Sequence, residues 1–182
     1  MTDHLIAPIE IPDATLEPAA YVETLTRTLG DRDPLEVYAA TPGAVADLCE
    51  PLTDNQWHAP LGNGEWNALQ IVGHLFDVDV VYGFRFRLVL TEDNPSYPGY
   101  NEKLWSELPR PAAPTLLAGL QSLRDANIAL LRGIEAAGWE RRGTHAEQGT
   151  EQFHLMVAKI AGHDLAHLNQ LVRTIQVAND MS

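Results

Sequence analysis

His163 and His167 stand four residues apart in the run QFHLMVAKIAGHDLAHLNQLVRTIQV, residues 152–177. On a helix that spacing puts both imidazoles on one face, one turn from each other. Phe153, Met156, Ile160 and Leu171 mark the same face at helical intervals. The pair therefore sits where the packing pattern asks for apolar side chains. A buried imidazole needs a partner, and a metal ion is one that suits such a pair. A third histidine, His74, falls on a comparable stripe with Ile71, Val78, Val81 and Arg85. Three imidazoles turned toward one interior require a shared ion, a carboxylate or trapped water. If the partner is an ion, three protein ligands leave positions open, as catalytic rather than structural zinc sites do. Imidazole donors suit zinc, nickel, iron or copper.

Other polar residues bear on such a site. Asp164 adjoins a candidate ligand but points about 100° away around the helix. A surface or salt-bridge role is the simpler reading for it. Asp77 lies three residues after His74 and could reach back to orient an imidazole, though a surface or salt-bridge role is the simpler reading here too. His145 lies in the connector before the last helix; it is read as a solvated loop residue near the pocket mouth. His4 and His58 are read as solvated too. Cys49 lies on an apolar stripe with Val45, Leu48 and Leu52 and is read as a core residue. The chain carries no glycine-rich phosphate loop, no GxSxG elbow and no HExxH motif.

The elements that must position the histidines read as helices. Residues 1–18 contain Pro8, Pro12 and Pro18 and form an extended lead-in. A broken helical arm follows: residues 19–29 ended by Gly30, then a helix started by Asp33-Pro34, then another restarted by Thr41-Pro42. Residues 66–90 form a long helix carrying His74. Residues 91–113, rich in proline, form a long crossover with one turn near 102–107, a length that often covers a site. A third main helix spans 114–137 with Gly138 as its cap, and 139–149 form a polar connector. No stretch shows strand-like alternation. The expected fold is an all-α, up-and-down four-helix bundle occupying residues 19–182, with long connections.

Composition bounds the function. The 182 residues hold 12 Lys+Arg against 25 Asp+Glu, a formal net charge of −13. Phosphate-backbone binding needs clustered cations, and none are present, so nucleic acid is not an expected partner. One cysteine allows no internal disulfide and suits a reducing cytoplasm. The start, MTDHLIAPIEIPD, is acidic and proline-broken, unlike a signal peptide, and no run is long enough for a membrane span.

The segment GEWNALQIVGHLFDVDVVYGFRFRLVL, with Trp66 before Gly73-His74-Leu75, resembles the second helix of DinB-like proteins, the DinB/YfiT superfamily. HAEQGTEQFHLMVAKIAGHDLAHLNQL resembles their last helix, where a His-x-x-x-His pair precedes a Gln. PSYPGYNEKLW and DPLEVYAATPGAVADLCEPL resemble their crossover and arm, so the likeness runs from about Tyr21 to Ile175. It implies a four-helix bundle, His74, His163 and His167 as ligands of a divalent ion (zinc, nickel or iron), a small-molecule substrate, and a homodimer. It implies an enzyme, either a hydrolase or a transferase using a low-molecular-weight thiol. The alternative is a non-catalytic ligand-binding or structural dimer of the same fold. Asn101 stands where many relatives carry Asp, and no thiol signature is present in the third helix. The resemblance therefore does not choose between the two reactions.

Overall fold

The computed structural model describes residues 7–59, 62 and 64–180; the reading of His4 lies outside them. The elements are α1 (Pro18–Leu29), α2 (Pro34–Cys49), α3 (Asp54–Trp57), α4 (Ala68–Thr91), β1 (Ser96–Tyr97), α5 (Glu102–Ser106), α6 (Ala113–Arg132), α7 (Ala136–Trp139), β2 (Arg142–His145), β3 (Gly149–Gln152) and α8 (Phe153–Asp180). The four long helices α2, α4, α6 and α8 form the expected bundle. Helix α2 packs against α6 and α8, α4 packs against the same two, and α1 lies on α8. Of the consecutive bundle helices, α2 and α4, and likewise α6 and α8, thus face one another across the diagonal, while α4 and α6 are adjacent.

Local chemistry explains most boundaries. The Asp33 carboxylate accepts the backbone N–H groups of Leu35 and Glu36, with Pro34 in the first turn, so α2 starts as expected. Asn67 and Gln70 form a reciprocal capping box at the start of α4. Asn101 accepts from the Leu104 N–H at 3.0 Å and caps α5 within the crossover.

Three expectations fail. The arm does not break at Thr41-Pro42; Pro42 lies inside a continuous α2. A proline removes the N–H that would bond the carbonyl four residues back, here that of Tyr38. That carbonyl instead accepts from Arg124 Nη1 on α6, so the helix continues without a buried orphan. The third main helix ends at Arg132, not near 137. Gly133 closes it, its N–H turning to the Leu130 and Leu131 carbonyls, and α7 follows as a separate turn. The connector 139–149 is not merely polar loop. β2 and β3 form an antiparallel hairpin pairing Arg142 with Gln152 and His145 with Gly149, the latter at φ +81°. β1 joins β2 in parallel, Ser96 beside Thr144. Strands of two and four residues are too short to show a period in sequence.

Two apolar clusters fill the bundle. One gathers Tyr82, Phe86 and Val89 of α4 with Ile128, Leu131, Phe153 and Ile160. The other gathers Ile71, Val72 and Leu75 with Val45, Leu116, Leu120 and Leu171. Between them, at mid-height on every long helix, lies a buried polar layer. Arg124 occupies its centre with no exposed surface. Its Nε donates to Asp79 Oδ2 at 2.7 Å and its Nη1 to Asp164 Oδ2 at 2.7 Å. Tyr38 Oη donates to Asp79 Oδ1 at 2.6 Å, and the guanidinium lies 3.6 Å from the Tyr38 ring centroid. One side chain therefore joins all four long helices.

Helix α1 meets α8 backbone to backbone. A Cβ at Gly162 would run into the Leu25 carbonyl, so only glycine permits this approach one residue before His163. Cys49 is buried in the second cluster, and burial pushes its thiol up to about 12, consistent with a core residue. No helix among the described residues is long and apolar enough to cross a membrane.

Replacing Arg124 by Met leaves Asp79 and Asp164 buried without a cation. Breaking such a pair costs about 3–5 kcal/mol. Urea unfolding of Arg124→Met should show a loss of that order at pH 8. The loss should shrink at pH 5, where the orphaned carboxyls take up protons in the folded state.

Candidate metal centre

The polar layer that holds Arg124 also holds the three histidines. His74 comes from α4, and His163 and His167 come from successive turns of α8; all are buried. Their ring nitrogens include one from each residue that lie within 4.8 Å of one another. Nε2 of His74 and Nε2 of His163 are 3.1 Å apart. Two nitrogens each ~2.0–2.1 Å from a tetrahedral ion stand roughly 3.3 Å apart, so the spacing suits a shared ion. His163 Nδ1 is buried without a hydrogen-bond partner among the described residues.

Electrostatics keeps the rings neutral. Burial pushes His74 and His163 well below the ordinary imidazole value, and each is further depressed by its histidine neighbours. Arg110 adds to the effect at His74, and Arg124 at His163. Burial lowers His167 to about 4, opposed by its bond to Gln170. A neutral imidazole is the form that ligates metal. His167 Nδ1 lies 2.8 Å from Gln170 Oε1. The carbonyl oxygen accepts the Nδ1 proton, which leaves the Nε2 lone pair available. Trp66 covers the group from one side, its ring 4.8 Å from that of His74 and stacked at 6.2 Å on that of His167.

His163 and His167 line a cavity of about 680 Å³, within the usual range for small-molecule sites. Its walls come from residues 11–15 before α1, from Val78, Tyr82 and Arg85 of α4, from the crossover at 99–103, and from the hairpin at His145. The crossover thus does cover the site, as its length suggests.

Asp77 takes the salt-bridge role rather than orienting an imidazole: it forms a bidentate pair with Arg110, at 2.9 and 2.5 Å. Asp164 does form a salt bridge, with Arg124, but a buried one rather than a surface one. It points into the bundle centre, where burial raises its carboxyl to about 6 against the pull of Arg124. His145 is not solvated but 4 % exposed, on the hairpin edge facing the cavity. Its Nδ1 accepts the Glu147 and Gln148 N–H groups at 3.2 and 3.3 Å, and its Nε2 is 3.2 Å from Arg85 Nη2. His58 is exposed, as expected, with Nδ1 2.9 Å from the Asp54 carbonyl. Gln170 was foreshadowed by its i, i+3 spacing from His167. The Arg85–His145 pair had no sequence signal beyond Arg85 lying on the His74 stripe, because a hairpin brings the two together across 60 residues.

The family model described as "DinB superfamily" matches residues 38–171. "Putative metal-dependent hydrolase BcerKBAB4_2443" of Bacillus mycoides (strain KBAB4) is 31% identical over 149 residues, covering 81% of this chain and 86% of that one. "Putative metal-dependent hydrolase YfiT" of Bacillus subtilis (strain 168) is 32% identical over 148 residues, covering 76% and 82%. The solved structure of YfiT from Bacillus subtilis is described as "a probable metal-dependent hydrolase with an unusual four-helix bundle topology". It superposes with a TM-score of 0.71 at 26% identity, over 97% of this chain and 94% of that one.

Burial, then Arg85 and Lys159, lower His145 to about 4. The unfolded value is ordinary, near ~6.5. Its neutral burial therefore favours the folded state fully above that pH, and the contribution is lost as pH falls toward 4. An NMR titration should find a His145 midpoint near 4, and Arg85→Gln should raise it. An ordinary midpoint in the wild-type protein would contradict the geometry.

Proposed function

The chain belongs to the DinB superfamily, and on that footing we propose that it is a metal-dependent enzyme acting on a small molecule held in the cavity. His74, His163 and His167 hold one divalent ion. The observation that carries this reading is the convergence of three buried, neutral imidazoles, two of them on the cavity wall. The residues fit such an ion. An all-nitrogen donor set suits zinc, nickel or iron. Three protein ligands leave coordination positions open, as in catalytic sites. The Nε2 atoms of His74 and His163 face each other at 3.1 Å, where one ion can take a lone pair from each.

A divalent ion bound there supplies Lewis-acid polarisation to a substrate group. The chain's own residues do the rest. Gln170 fixes the tautomer of His167. Trp66 shields His74 and His167 from bulk water, and Arg110 is held on Asp77. The crossover and hairpin enclose the substrate, which excludes competing solvent.

The descriptions of the relatives support hydrolysis. Thiol-dependent S-transfer at the same site differs in requiring a low-molecular-weight thiol. Turnover of ester, amide and electrophile panels, each run with and without bacterial thiols, separates the two. Hydrolysis predicts product without added thiol; a strict thiol requirement reassigns the reaction to S-transfer.

Metal binding should stabilise the native state, since the unfolded chain has no assembled site. At metal about 100-fold above Kd the gain is ~2.7 kcal/mol, or roughly 5–10 °C in Tm for a domain of this size. Protein purified without a histidine tag should carry about one ion per chain. Chelation should lower Tm by that amount, and His167→Ala should remove both the ion and the Tm response. A wild-type protein that takes up no zinc, nickel or iron on reconstitution would overturn the proposal.

A further inference from the structure

The far wall of the cavity holds a buried cation that makes no direct ion pair among the described residues. Arg85 is 5 % exposed and lines the cavity. The other deeply set cations each have a carboxylate: Arg124 has Asp79 and Asp164, Arg110 has Asp77, and Lys159 has Glu151. Among the described residues none forms an ion pair with Arg85. Asp13, Glu102 and Glu147 line the same cavity, from the lead-in, crossover and hairpin; Glu102 feels the charge of Arg85 without a direct ion pair to it. Its Nη2 donates to the Pro98 carbonyl at 2.7 Å, and the rings of Tyr82 and Tyr97 lie 5.3 and 5.1 Å from its carbon. Nε and Nη1 make no hydrogen bond among the described residues. These donors face the cavity, where an anionic ligand group can take them in place of water.

His145 gives a second, independent observation. A neutral imidazole has one lone pair. Two backbone N–H groups approach its Nδ1, so Nδ1 is the acceptor and Nε2 carries the proton. That Nε2–H then faces the N–H of Arg85 Nη2 at 3.2 Å, donor against donor. The other tautomer only moves the conflict to the two backbone groups. The cluster is one acceptor short. An oxyanion beside Arg85 and His145 would complete it with charge-assisted bonds.

We propose that this end of the cavity binds a carboxylate of the substrate, with Arg85 and His145 as its donors. The substrate is then a small carboxylic acid whose reacting group lies toward the histidines, an assignment that rests on the metal-centre reading. Eleven residues of α4 separate His74 from Arg85, about 16 Å of helix rise. The acid group is thus held at the other end of the cavity from the level of His74. Binding energy from such a remote group can position the reacting end.

The test compares hexanoate with hexanamide, which differ chiefly in charge, by calorimetric titration of zinc-free and zinc-loaded protein. Zinc uptake is measured separately. Hexanoate should bind about tenfold or more tightly than hexanamide to both forms. Arg85→Gln should reduce that preference to about threefold or less, and Arg85→Lys should retain part of it. Equal affinity for the two probes in the wild-type protein overturns the proposal, as does an undiminished preference in folded Arg85→Gln. If Arg85→Gln does not fold, NMR of the wild-type protein decides. Hexanoate should raise the His145 midpoint by about one pH unit, and an unmoved midpoint overturns the proposal. Preference for hexanoate without zinc uptake supports the carboxylate site while sinking the metal reading. Zinc uptake without that preference does the opposite.

Discussion

The fold hangs on one buried guanidinium. Arg124 donates to Asp79 on α4, to Asp164 on α8 and to the Tyr38 carbonyl on α2, from its own place on α6. The diagonal pairs, α2 with α4 and α6 with α8, meet mainly through this centre. Pro42 is part of the same device. By withholding an N–H it releases a helical carbonyl for a tertiary bond. Burial works against the carboxylates, raising Asp79 and Asp164 above their ordinary values. The network is thus a poor source of net stability compared with apolar packing. What it supplies is a requirement that four helices sit in one relative position.

That requirement reaches the candidate site directly. Asp164 and His163 are neighbours on α8 that point in different directions, one to Arg124 and one to the histidine group. Fixing one fixes the other. The guanidinium also helps keep His163 uncharged. The polar layer therefore joins a structural half and a ligand half, with apolar clusters above and below it. Those clusters keep water away from the structural half, which strengthens its electrostatic contacts, while the ligand half opens on the cavity.

How much could be read from the chain depends on range. The three histidines were visible because i, i+4 spacing and apolar stripes are local signals, and the structure brings all three rings together. The caps at Asp33 and Asn101, the covering crossover and the buried Cys49 follow from similarly local chemistry. The bundle itself was legible from helix periodicity. What escaped depended on partners far away in sequence. Pro42 looked like a helix start because the group that rescues its turn is 82 positions later, on Arg124. Asp77 and Asp164 gave no sign of their arginines. The hairpin was too short to reveal a period, so His145 passed for a solvated residue when it is a buried one.

Gly162 lets the α1 backbone rest directly on α8, beside the residue that carries one of the candidate ligands. No side chain there can tilt or repack to let the two helices slide. The wall of the cavity nearest α1 is thereby pinned to α8 by main-chain contact. The enclosing crossover and hairpin are built of a two-residue strand, a five-residue helix and short paired strands. They hold none of the three histidines, so the shape of the enclosure can be altered without touching the ligand set.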